Sequence, residues 1–257
     1  MISYYIQIIF LALVQGIFEF IPVSSSAHLF IISYFSNFDH QSLELDISLH
    51  LGSLIAILIY FRKDLINILN NKIKLNLIVY GSIPMVVIGL FLHHFELIYQ
   101  LRNLKVIAWT TLLFGIFLYL TDRNPISNKI DKNLNLKKTI IIGLYQALAL
   151  IPGVSRSGIV ISACRLYNFN RVDAAKISFL LSIPALTGAS TLGLFNTLDR
   201  NIEFNIMIFL SIFFSFIFSY LTIKFLLIYL KKFSLNIFVY YRIFLAIILF
   251  LIAYGQF

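Results

Sequence analysis

The chain has 257 residues, of which 60% are hydrophobic and 12% charged, and its mean hydropathy is +0.91. A soluble domain carries roughly a quarter charged residues, so this composition excludes one and indicates an integral membrane protein. The net charge is +9, but the basic residues fall in short segments between apolar runs, where they act as topology signals and lipid contacts rather than as a nucleic-acid surface.

Taken in chain order, the first apolar region, 3–35, is broken by Pro22 and then by Ser24, Ser25 and Ser26. Runs near 45–61, 77–95 and 104–121 follow, each close to the ~20 residues a spanning helix needs. A second broken region, 139–168, is interrupted by Pro152-Gly153 and again followed by serines, and runs near 173–195, 205–230 and 236–256 complete the chain. Broken, polar backbone at membrane depth is tolerated only where protein buries it or it lines a watery cavity. The expected fold is an all-α polytopic membrane protein with six transmembrane helices and two re-entrant helical hairpins. A single cysteine, Cys164, excludes an internal disulfide. No basic segment precedes the first apolar run, so no removable signal peptide is expected.

The two broken regions match. Gln15 lies nine residues before Ser24, and Gln146 nine before Ser155, which sets an offset of 131. Each break is followed by three spans, so one membrane domain, 1–257, is expected to consist of two inverted-topology repeats, 1–122 and 123–257. Charge agrees with this plan. Segments 62–76, 122–138, 165–176 and 224–235 carry fifteen Lys and Arg, whereas 36–44, 96–105 and 196–204 carry three, Arg102, Lys105 and Arg200. The first set is expected in the cytoplasm and both termini outside. The hairpins then enter from opposite sides and their tips meet.

Those tips hold the reactive groups. Arg156 stands between Ser155 and Ser157, just after Gly153, in an apolar setting where a guanidinium must face an anion or water. Serine hydroxyls and the N–H groups of a restarting helix around that cation describe a phosphate site. Gln15 and Glu19 are four apart on one helix face and offer oxygen ligands to a divalent cation, Mg²⁺ or Ca²⁺. Ser25 or His28 could attack phosphorus, or His28 could activate a serine or water. With Ser24 and Ser26 as further donors, this is phosphoryl-transfer equipment inside a membrane, and its substrate should carry a lipid tail.

The stretch Gln15-Gly-Ile-Phe-Glu19-Phe-Ile-Pro-Val-Ser-Ser-Ser-Ala-His28 resembles the acidic signature of the undecaprenyl-diphosphate phosphatase family and its Pro-Val-Ser-Ser continuation. Pro152-Gly-Val-Ser-Arg-Ser157 resembles that family's second signature, and His50-Leu-Gly-Ser-Leu54 and Ser178-Phe-Leu-Leu-Ser-Ile-Pro184 fit its flanking spans. The resemblance implies a bacterial inner-membrane enzyme that removes the terminal phosphate of undecaprenyl diphosphate at the outer face and confers bacitracin resistance. It implies Gln15 and Glu19 as metal ligands, Ser25 as candidate nucleophile, His28 as the motif histidine, and Ser155, Arg156 and Ser157 as phosphate binders. Where the signature ends in Thr this chain has Val160, so that hydroxyl is dispensable or replaced by Ser162. The alternative is a flippase or secondary transporter of an anionic substrate, which would need Arg156 but not the surrounding Glu, Ser and His. Whether attack comes from Ser25, His28 or water stays open, as does a homodimer, and His50, His93 and His94 are given no role.

Overall fold

The computed structural model describes residues 2–35, 43–67, 72–95, 97–101, 103–197 and 206–255. Residues 36–42, Arg102, residues 198–205 and the side chain of Ser26 lie outside the described ones. The helices in chain order are α1 (Ile2–Phe18), α2 (Ser25–Phe35), α3 (Leu43–Tyr60), α4 (Arg62–Ile66), α5 (Lys72–His94), α6 (Leu97–Leu101), α7 (Leu104–Asp122), α8 (Ile130–Asn133), α9 (Leu136–Ala147), α10 (Arg156–Leu166), α11 (Arg171–Thr197), α12 (Ile206–Tyr229) and α13 (Asn236–Tyr254). The only β pairing among the described residues is an isolated bridge between Asn128 and Phe169.

Five of these helices, α5, α7, α11, α12 and α13, are long and apolar enough to cross a membrane. The protein is therefore an all-helical, multi-pass membrane protein. The sixth expected span, near 45–61, is the helix α3, whose described residues include the apolar stretch Leu45–Tyr60.

Without a hydrophobic drive between helices in lipid, association depends on close backbone approach and on polar contacts. Both devices are present. Gly143 of α9 lies so close to α5 that a Cβ there would come 2.3 Å from the Gly81 carbonyl oxygen. Between α3 and α12 the glue is hydroxyl chemistry. Ser48 bonds Ser211, Ser53 reaches Ser219 at 2.9 Å, and Ser215 donates to the Leu49 carbonyl at 2.6 Å. The first helix of each hairpin packs on a span of the other half, α1 on α12 and α9 on α5, while α3 pairs with α11 and α7 with α13.

One end of the bundle is tied by buried charge. Asp122 accepts from Arg171 Nε at 2.7 Å and from the Leu235 N–H at 3.0 Å, with Arg165 Nε 3.5 Å away. Arg165, fully buried, also donates to the carbonyls of Phe169, Asp122 and Asn124. Two cations around one carboxylate, with most remaining donors satisfied by carbonyls, lock the ends of α7, α10, α11 and α13 together.

Candidate active site

Each hairpin turns through a serine in an unusual backbone conformation. Ser24 has φ 114° and Ser155 has φ 68°, values that side chains other than Gly seldom adopt and that cluster at functional sites. Both serines cap the helix that follows: Ser24 Oγ accepts from the Ala27 N–H at 3.4 Å, and Ser155 Oγ from the Gly158 N–H at 3.3 Å. The N-termini of α2 and α10 thus converge, each carrying the partial positive charge and spare N–H groups of a helix start.

Between them lies a cavity of about 270 Å³ lined by Glu19, Ser24, Ser25, His50, Ser155 and Arg156, with Met85, the Ala149–Pro152 segment and Ala185, Leu186 and Ala189 completing the wall. Arg156 Nη2 donates to Glu19 Oε1 at 2.6 Å. The pair is about nine-tenths buried on both sides. The other terminal nitrogen, Arg156 Nη1, is buried without a partner among the described residues. Glu19 Oε2 accepts from Gln15 Nε2 at 3.2 Å, and that nitrogen also lies 2.9 Å from His50 Nδ1. Among the described residues no protein group bonds the Ser25 hydroxyl.

The remaining candidates stand behind the cavity. Ser157 donates to the Ile21 carbonyl at 3.0 Å, stitching one hairpin tip to the other. Gly153, at φ 90°, lets the turn pass against α7. Its carbonyl and that of Val154 accept from Arg242 at 3.0 and 3.1 Å, and Thr110 Oγ1 donates to the Pro152 carbonyl at 2.6 Å. His28 is buried and stacked on Phe18, with ring centroids 3.5 Å apart. Its Nδ1 lies 2.6 Å from the Ser24 carbonyl, which can only accept, so the ring proton sits on Nδ1; Nε2 then takes the Tyr241 hydroxyl at 2.6 Å. In this arrangement His28 holds the Ser24 turn and does not line the cavity. Val160 and Ser162 are buried in the core and do not line it either.

Three residues escaped the sequence reading. His50 lines the cavity from α3, Tyr241 engages His28, and Arg242 holds the turn that carries Arg156. Arg242 had a signal, since a cation in the middle of an apolar span needs buried partners. For His50 the only hint was its place in a short motif.

An ion pair beside two helix N-termini, with an unpaired guanidinium nitrogen and an unengaged serine hydroxyl, can bind a phosphorylated headgroup and stabilise charge on a transferring phosphoryl group. Known proteins agree with that chemistry. Residues 8–248 match the model of the bacitracin resistance protein BacA family. The chain is 54% identical to the undecaprenyl-diphosphatase of Pelagibacter ubique, over 99% of this chain and the whole of that protein. It is 43% identical to that of Elusimicrobium minutum, over 96% and 98% of the two chains, and 39% identical to that of Thermodesulfovibrio yellowstonii, over 95% of each. With nearly its whole length matched, and its two hairpin tips meeting in one charged cavity, the chain belongs to the bacitracin resistance protein BacA family.

Proposed function

We infer that the protein hydrolyses undecaprenyl diphosphate to undecaprenyl phosphate and inorganic phosphate, recycling the lipid carrier of peptidoglycan synthesis and giving resistance to bacitracin. The cavity at the Glu19–Arg156 pair carries this reading. Arg156, with its unpaired Nη1, and the N–H groups that open α2 and α10 bind the terminal phosphate. Ser24 and Ser155 shape the two turns, and Ser157 and Gly153 hold the Arg156 turn in place. Ser25, first residue of α2 and on the cavity wall, is placed to attack the terminal phosphorus. Attack forms the Oγ–phosphorus bond and breaks the bond from that phosphorus to the bridging oxygen, and the lipid monophosphate leaves with the serine's proton on its oxygen. Water then releases phosphate from the serine. A carrier would need Arg156 but neither a free serine hydroxyl nor Glu19 beside it, so no observation favours the flippase reading.

The lipid tail has a place as well. A second, apolar cavity of about 420 Å³ runs between α5 and α11 and shares Met85, Leu150, Ala185 and Ala189 with the first. A Cβ at Gly188, on its wall, would meet no atom within 4 Å. Gly188→Phe is therefore expected to fold and to fill the groove. Displacing about one isoprene unit should raise KM for undecaprenyl diphosphate about tenfold, with hydrolysis of isopentenyl diphosphate unchanged. Equal KM for the long lipid in both proteins would place the tail elsewhere.

The family resemblance implies a divalent cation, Mg²⁺ or Ca²⁺, and the donor chemistry fits one. No three His, Cys, Asp or Glu side chains converge among the described residues, which suits an ion held by one carboxylate and the substrate's own phosphates. Glu19 would hold it, while the Gln15 amide, expected as a second ligand, turns its nitrogen rather than its oxygen to Glu19 and steadies that carboxylate; when bound the ion would offset the negative charge of the diphosphate. Phosphate release from undecaprenyl diphosphate by the detergent-purified protein, with and without EDTA, tests the activity and the requirement together. Glu19→Gln should shift the metal titration to higher concentration, and an unchanged titration would remove Glu19 from the ligand set.

The membrane arrangement that accompanies this function has six spans, with α3 as the sixth, and two re-entrant hairpins, α1–α2 and α9–α10. The reciprocal packing of each hairpin on the other half, and the matched cap bonds and positive φ at Ser24 and Ser155, support inverted repeats 1–122 and 123–257. The bias of Lys and Arg toward 62–76, 122–138, 165–176 and 224–235 supports an orientation with those segments in the cytoplasm, and with it a bacterial inner-membrane enzyme whose cavity opens to the outer face.

A further inference from the structure

The amide of Gln15 settles the state of a histidine that the reaction scheme above does not use. Glu19, paired with Arg156, is an acceptor only, so the Gln15 atom facing it must be the NH₂ group. That nitrogen has a second hydrogen, and His50 Nδ1 lies 2.9 Å from it. Two donors cannot share that contact. His50 Nδ1 therefore accepts, and the ring proton sits on Nε2. The order Arg156→Glu19←Gln15→His50 is a chain of hydrogen bonds in which the first charge fixes the last tautomer. Nε2–H is left with no protein partner among the described residues, on a ring that lines the same cavity as Ser24, Ser25 and Arg156.

We propose that His50 is a diphosphate-binding residue, donating its Nε2–H from α3 to a phosphate oxygen of the substrate held in this cavity. The proposal rests on the reading of this cavity as the diphosphate site. Arg156 supplies charge, and His50 supplies a neutral, directed donor whose orientation the Gln15 amide maintains. A donor of this kind binds ground state and transition state alike, so its loss should appear in KM rather than kcat.

The test uses the full protein in detergent, with undecaprenyl diphosphate for kinetics and methylenediphosphonate, which cannot be hydrolysed and has no tail, for binding. His50→Leu is expected to raise KM about tenfold or more, the loss of one hydrogen bond to a charged group, with kcat within about threefold and methylenediphosphonate affinity reduced in parallel. His50→Gln can accept from Gln15 and still donate an N–H, and should restore both values to within about threefold of wild type. Unchanged KM and affinity in His50→Leu, or a loss confined to kcat that glutamine does not rescue, would overturn the proposal. Arg156→Ala with the same probe separates the two levels: if it keeps full affinity, the cavity is not the diphosphate site and the functional reading falls first. Should the leucine variant fail to fold, histidine ¹⁵N–¹H correlation spectra of wild type, assigned by the signal missing from His50→Gln, read the tautomer directly. A neutral ring protonated at Nε2 is expected, and one protonated at Nδ1 would end the argument.

Discussion

Arg156→Ala is expected to lower phosphate release by about 10³-fold or more, since an arginine that stabilises a transferring phosphoryl group contributes on that scale. Two features make the effect large. The side chain is about nine-tenths buried, so water cannot replace it freely, and its Nη1 has no protein partner to lose. The substitution also strands Glu19, and removing one member of a buried pair costs about 3–5 kcal/mol. Stability must therefore be measured beside activity. Adding Glu19→Gln to Arg156→Ala removes the stranded charge and should recover thermal stability in detergent without recovering turnover. Arg156→Lys keeps the charge but loses the planar fork, and should stay well below wild type. Activity of Arg156→Ala within tenfold of wild type would refute the phosphate-anchoring role.

A methyl group at Gly153 should be nearly as damaging, although Gly153 does not line the cavity. At φ 90° an alanine is strained by about 1–3 kcal/mol before any contact is considered. Its Cβ would sit 2.0 Å from Thr110 Oγ1 and 2.7 Å from the Ile107 carbonyl oxygen. Relief would mean breaking the Thr110 bond to Pro152 or pulling Gly153 and Val154 off Arg242. Either way Arg156, three residues on, moves relative to Glu19. A misplacement of about 1 Å in a positioned group can cost about 10²-fold in rate. Gly153→Ala is thus expected to lower the melting temperature and cut turnover about a hundredfold. A variant with wild-type melting and activity would show that the turn has room the structure does not give it.

Much of this was legible along the chain. The spans follow from runs of apolar residues of membrane length, and five of the six expected ones reach it as helices. Pro22 and Pro152-Gly153, each followed at once by serines, mark the breaks, because proline removes a helix hydrogen bond and clashes with the preceding turn, although Pro84 and Pro184 are carried inside α5 and α11 without ending them. Gln15 and Glu19 could be placed on one face because i and i+4 neighbours always are, and they do bond.

Other assignments depended on facts that no local pattern contains. Ser155 and Ser157 look equivalent in sequence, yet one lines the cavity and the other donates to the backbone of the opposite hairpin. His28 looked like a reactive group beside three hydroxyls, and the fold instead gives its two nitrogens to a carbonyl and to Tyr241, 213 residues away. His50 had no distinguishing neighbours until α3 came beside α1 and set it against Gln15. The composition, the breaks and the capped turns are properties of short stretches, dictated by hydration and by backbone sterics within a few residues. Which polar atom faces which depends on how helices rotate and slide against one another. In lipid that is decided by close approach at sites such as Gly143 and by hydroxyl pairs such as Ser53–Ser219, contacts that exist only once the whole bundle has assembled.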